Sequence, residues 1–267
     1  MVKKLIKYDF LSYMRKLLPM ELILLGVALL TRFVLVFEDT SSAIYNIVFT
    51  SSMIAYVITL IVCLIAAFAS VISRFYKNMF TGEGYLSFTL PIKSTQHLDS
   101  KLISGVCVIF ITVLNAILSF MIVMLGEPII EIFKAMNFLG IKAVEAWGAH
   151  FWFYMLEILL YVVLSTTSTI LLFYACTCVG QLAKKNRVLM SFLTYFVVYF
   201  VTQIIETIFI AIVSVTGIYE DVAEWFVGNM LVNFHVVSWL VIIGTLISAA
   251  VCYLVCAHIM DRKVNLE

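Results

Sequence analysis

The chain has 267 residues, of which 64% are hydrophobic and only 12% charged, and its formal net charge is +1. A soluble domain is about half apolar and a quarter charged, so this composition excludes a water-soluble globule and points to a protein whose solvent is a bilayer. All six cysteines (Cys63, Cys107, Cys176, Cys178, Cys252 and Cys256) lie inside apolar stretches, where they read as small hydrophobes and not as a disulfide framework.

The first stretch is "MVKKLIKYDFLSYMRKLL". Val2, Leu5, Ile6, Phe10, Tyr13, Met14 and Leu17 recur at helical spacing, and Lys3, Lys4, Lys7, Ser12, Arg15 and Lys16 take the other face. The pattern predicts an amphipathic helix over 1–18, lying in the plane of the membrane surface. Pro19 then marks a bend into the first span, because the residue before a proline resists helical geometry. The basic residues are too spread out, and lack the short apolar core and cleavage site, for a cleavable signal peptide.

A spanning helix needs about 20 mostly apolar residues. Six stretches qualify: 20–37, 44–72, 98–125, 151–179, 189–217 and 231–259. They are continuously apolar, not alternating, which excludes barrel strands. Five are long enough, at about 1.5 Å per residue, to tilt or to project beyond the hydrocarbon. No linker, low-complexity tract or repeat interrupts them, so 1–267 reads as one all-α membrane domain.

Basic residues are retained on the cytoplasmic side. With the N-terminus inside, every Lys and Arg except Arg32, Lys134 and Lys142 falls in a cytoplasmic segment. The opposite loops hold Glu38, Asp39, Glu127, Glu131, Glu145, Glu220, Asp221 and Glu224. Both termini are therefore expected in the cytoplasm. The outer segment 126–150 shows a short amphipathic turn or two at Ile129, Ile130, Ile132 and Phe133. Trp147, Trp152 and Trp225 stand where an aromatic belt belongs.

Three ionisable residues fall within spans: Arg32, Glu157 and Glu206. Each costs at least about 2.5 kcal/mol there if uncompensated, and all three fall in the outer half, so Arg32 is expected to pair with one of the glutamates. Such a group lines a substrate path or fixes helix order. A proton relay is not expected, because His150 and His258 lie near span ends and His235 only a short way into the sixth. The run "STTST" at 165–169 reads as hydroxyls bonded to neighbouring helices or to their own helix.

One polar stretch is longer than a connection requires: "RFYKNMFTGEGYLSFTLPIKSTQHLDSKL". It has its own apolar pattern in Phe75, Met79, Phe80, Tyr85, Leu86, Phe88 and Leu90. Gly82 and Gly84 bracket Glu83, Pro91 stops what precedes it, and Ser94 or Thr95 can cap the next helix. An apolar patch rimmed by charge is suited to a protein partner.

These residues resemble the first cytoplasmic loop of permease subunits of bacterial ABC type-2 (ATP-binding cassette) exporters, with an aromatic-rich E-G-Y-L…T-L-P…K pattern. The N-terminal helix, the six spans and the cytoplasmic termini extend the likeness along the chain. The resemblance implies that 73–97 is a coupling loop seated on an ATPase. Phe80, Glu83, Gly84, Tyr85 and Leu86 would then dock, Leu90 and Pro91 would end the knob, and Lys101 would stand at the inner end of the third span. It further implies a bacterial cytoplasmic membrane, separate ATPase subunits that bind ATP and Mg, and a second permease chain in a homodimer or heterodimer. The substrate would be amphipathic or hydrophobic: a peptide, antimicrobial or lipid-like molecule.

The chain has no G-x-x-x-x-G-K-[ST] of its own, so ATP hydrolysis is expected on another polypeptide. No cofactor, metal site or nucleic-acid partner is indicated. A stand-alone carrier or channel using Arg32, Glu157 and Glu206 is the alternative, and it leaves the long loop unexplained. An intramembrane enzyme would need a catalytic pair or a zinc motif, and none is written in the chain.

Overall fold

The structure, a computed structural model, describes residues 2–37, 43–81, 94–183, 185–216, 224–225, 227–228 and 230–262. These residues form α1 (Val2–Val36), α2 (Ala43–Phe80), α3 (Ser94–Val123), α4 (Glu127–Trp147), α5 (His150–Gly180), α6 (Arg187–Val215) and α7 (Met230–Arg262). All but α4 are long and apolar enough to cross a membrane. The protein is an all-helical, multi-pass membrane protein. At about 1.5 Å per residue, the 38 residues of α2 reach about 57 Å, against about 30 Å of hydrocarbon.

Three elements differ from the sequence reading. The expected surface helix over 1–18 and the first span form one helix, with Pro19 inside it. Proline removes one ladder donor, which frees the Arg15 carbonyl. The buried stripe of Asp9, Tyr13 and Leu17 nevertheless resumes beyond it at Leu24, Ala28 and Thr31, so the same face packs on both sides of the proline. Lys3, Lys4, Lys7, Arg15 and Lys16 are exposed.

The loop expected over 73–97 is shorter, because α2 runs on to Phe80 and α3 begins at Ser94. Cys63, Ala67, Val71, Phe75 and Met79 are buried at four-residue spacing. One helical face is thus kept inward through the polar residues Arg74 and Lys77. The amphipathic turn expected in 126–150 is a helix of 21 residues, and its large apolar side chains, among them Phe133, Met136, Phe138 and Leu139, are exposed.

The helices gather into two compact units: Met1–Phe75 with Gln96–Lys142, and Tyr76–Thr95 with Ala143–Glu267. In the first, Leu24, Ala28, Tyr56, Cys63 and Val123 form a buried cluster, flanked by Val27, Leu35, Met53, Leu60 and Ile122. Lipid is as apolar as these side chains, so polar contacts and close packing must hold spans together. Here Tyr56 Oη and Ser119 Oγ are 3.1 Å apart. Thr112 donates to Glu21 Oε1 at 2.9 Å, and Asn115 donates to the Glu21 carbonyl at 3.2 Å.

In the second unit α5 packs on both α6 and α7. Gly180 allows the closest approach: a Cβ there would stand 2.6 Å from the Ser191 backbone nitrogen. Asn186 enters α6 in the left-handed region, φ 55°, a conformation that asparagine tolerates better than most residues. Phe173 and Tyr195 stack at 5.0 Å. Beyond this end α6 is largely exposed, with Ser191 its one buried residue.

Candidate functional site

Among the described residues each unit buries one carboxylate, and the two are satisfied in different ways. Asp9 sits on the inward stripe of α1, four residues before Tyr13, so its side chain faces the neighbouring helices although it is acidic. It is 3% exposed. Arg74 of α2 reaches it at 3.3 Å, and Lys101 of α3, itself 3% exposed, closes a second ion pair. Ser100 Oγ donates to the other carboxylate oxygen at 3.1 Å. Arg74 also donates to Ser12 Oγ, and its guanidinium lies 5.3 Å from the centre of the Tyr13 ring.

Arg74 and Lys101 each stand within about two turns of a helix end. Those ends border residues 81–93, so a single carboxylate on α1 ties down both helices from which that segment emerges. Desolvation offsets much of the attraction in a buried pair, and such pairs are weak evidence for net stability. What the geometry does secure is position, since one carboxylate holds a cation from each of two helices.

Glu157, 6% exposed, lies in the second turn of α5. His235 Nδ1 of α7 is 2.8 Å from Oε1, and Ser238 Oγ donates to Oε2. His235 Nε2 in turn stands 3.0 Å from Nδ1 of His150, the first residue of α5. Tyr154 stacks on His235 with ring centres 4.1 Å apart and donates its hydroxyl to the Leu231 carbonyl. The result is a line of Ser238, Glu157, His235 and His150, leading from a buried carboxylate to a half-buried imidazole.

This corrects the expectation that no histidine accompanies the intramembrane carboxylates. His235 and Glu157 lie 78 residues apart, and α5 and α7 bring them level. Nothing in the local pattern around either residue announces the pair. Within its own unit Glu157 is met by His235 and Ser238, and Arg32 Nη2 lies against Gly126, 2.7 Å from where a Cβ would stand. Glu206 is exposed on α6. The hydroxyls of Ser165, Thr166, Thr167 and Thr169 all donate to carbonyls of their own helix.

Among the expected loop residues, Phe80 ends α2 and its ring lies 6.4 Å from that of Tyr76. Glu83, Gly84, Tyr85, Leu86, Leu90 and Pro91 lie outside the described residues. All six cysteines are free, and the Cys178 and Cys256 thiols meet between α5 and α7. Among the described residues no three His, Cys, Asp or Glu side chains converge as a metal ion would require.

Sequence reasoning missed Asp9, His150, His235 and Ser238. Asp9 had a usable signal: it is the one acid in a strongly basic segment, at a position on the apolar face. Comparison with known protein families, curated proteins and solved structures finds no match to this chain.

Proposed function

We propose that the chain is the membrane-spanning permease subunit of an ATP-driven exporter of the ABC type-2 kind. In this reading it lies in the bacterial cytoplasmic membrane with both termini and residues 81–93 in the cytoplasm. It works with separate ATPase subunits, which bind ATP and Mg, and with a second permease chain. The cargo is amphipathic or hydrophobic. The observation that carries the reading is the Asp9 cluster, which fastens both roots of the loop to α1 through Arg74 and Lys101. A passive connection has no need of anchored roots, whereas a loop that must pass on a partner's motion has to be stiff where it joins the helices.

Affinity purification of the tagged protein from its native membrane tests this. A P-loop ATPase is expected to co-purify with it and to be lost from the Glu83→Arg variant, while a Glu131→Arg control retains it. Gradient-driven transport by the chain alone in liposomes would overturn the reading. It would favour instead a stand-alone carrier, for which the specific observation is the ionisable line through Glu157 and His235.

A further inference from the structure

The line from Glu157 to His150 has a proton count fixed by its geometry. His235 presents Nδ1 to the carboxylate at 2.8 Å and Nε2 to His150 Nδ1 at 3.0 Å. A hydrogen bond between two ring nitrogens needs one donor and one acceptor, so a single proton lies between the imidazoles. With Glu157 ionised, one of its oxygens accepts from Ser238 and the other faces His235 Nδ1, and the imidazoles offer free ring nitrogens to take up protons. One added proton fits: it makes one imidazole cationic beside the ionised carboxylate and leaves the other as acceptor. A second does not. With both rings doubly protonated, two N–H groups face each other across 3.0 Å, and like charges oppose across the same gap.

We propose that Glu157, His235 and His150 form a proton-binding site that opens the α5–α7 pair in acid. The first proton sets an imidazolium against the ionised carboxylate and preserves the pairing. Uptake of the second drives His150 away from His235 and parts the helices at the N-terminal end of α5. Imidazole is the side chain whose charge changes between pH 5 and 8, and that is the range over which the proposal is tested. In the orientation proposed above, the proton comes from outside the cell, but the switch itself requires no ATPase.

Among the described residues, the following groups surround this line. On α5 the neighbours are Tyr154, stacked on His235, and Glu157 itself. On α7 they are Ser238, Phe234 and the Leu231 carbonyl. Trp147 of α4 meets Tyr154 edge-on at 5.7 Å. On α6, which also packs on α5, the ionisable groups along the span are Tyr195, stacked on Phe173, and the exposed Tyr199 and Glu206.

The test uses the full chain in lipid nanodiscs, with spin labels carried on a ketone-bearing amino acid at the exposed positions Leu156 and Val232, so that the native cysteines stay in place. Between pH 8 and pH 5 the distance between labels is expected to lengthen in the wild type. It should not change in His150→Gln, since glutamine can donate or accept and no longer collides. An unchanged wild-type distance across this range overturns the proposal, as does the same lengthening in His150→Gln. Nitrogen-15 spectra of the histidines supply a measurement that needs no variant. Both rings of the pair should become doubly protonated only together with the longer distance, and double protonation with the short distance retained would also overturn the proposal.

Discussion

Among the described residues the two units bury one carboxylate each, and they solve the same electrostatic problem with different chemistry. Asp9 is met by an arginine and a lysine, residue types that ordinarily carry a full positive charge. Glu157 is met by a histidine and a serine, so its compensation depends on where one proton sits. Cations of that kind suit a joint that must hold whatever the conditions, and here they stand at the roots of residues 81–93. A histidine suits a joint that is meant to change state. The contrast separates a clamp from a switch, and each can be broken in its own way.

The largest effect is expected at the clamp. Asp9→Ala removes the carboxylate that Arg74 and the buried Lys101 share, and breaking a buried pair from one side costs about 3–5 kcal/mol. Denaturant unfolding in detergent should show that loss at pH 5 and pH 8 alike. Asp9→Leu combined with Lys101→Met should recover most of it, because a buried cation is removed together with the carboxylate. A double variant no more stable than Asp9→Ala would show that the cluster is not held by charge.

At the switch, Glu157→Gln keeps the shape but replaces a charged acceptor by a neutral amide. Hydrogen bonds to charged groups contribute about 1.5–3 kcal/mol, and unfolding at pH 6 should register a loss of that order. Losses that match at pH 5 and pH 8 would erase the distinction from the clamp. A third variant probes packing in the same unit without touching charge. Gly180→Ala sets a methyl 2.6 Å from the Ser191 backbone nitrogen and 2.7 Å from its Cα. Backbone cannot swing aside, so α5 and α6 must separate, at the cost of about 1–3 kcal/mol typical of overpacking. Addition of Ser191→Gly should restore it only in part, since it removes the obstructing Ser191 Oγ but leaves the backbone nitrogen and Cα in place.

The spans were legible because lipid imposes a length and a composition that twenty consecutive residues display by themselves. All six were found where expected, with ends shifted where helices continue past the hydrocarbon. The run of α2 to Phe80 escaped notice because Arg74 and Lys77 look like loop residues, while the feature that keeps the chain helical is an inward stripe ending at Met79. The join of α1 across Pro19 escaped for a related reason: local propensity favours a break, and packing on either side overrides it. Of the buried charges, Glu157 stood out as an acid in oil. Its partner His235 did not, because a histidine near a span end is unremarkable until a second helix brings it level. A pairing between helices α5 and α7 is information about their rotation and register, and neither is written in the local pattern of one span.

The smallest effect tests whether such cross-helix polar contacts matter energetically inside the first unit. Tyr56 Oη and Ser119 Oγ lie 3.1 Å apart, and both residues are buried, at 5% and 0% exposure. In water-soluble cores the loss of one partner leaves the other unsatisfied, and that penalty dominates. In a membrane helix the survivor has an alternative. Ser119 already shares its hydroxyl with the Ala116 carbonyl at 2.8 Å, so Tyr56→Phe strands nothing on α3. A double-mutant cycle of Tyr56→Phe with Ser119→Ala should therefore give a coupling of about 0.6 kcal/mol, the average for such contacts between spans, and no more than about 1.7 kcal/mol. A coupling comparable to the Asp9 effect would mean that this hydroxyl pair, and not the ion cluster, sets how α2 and α3 meet.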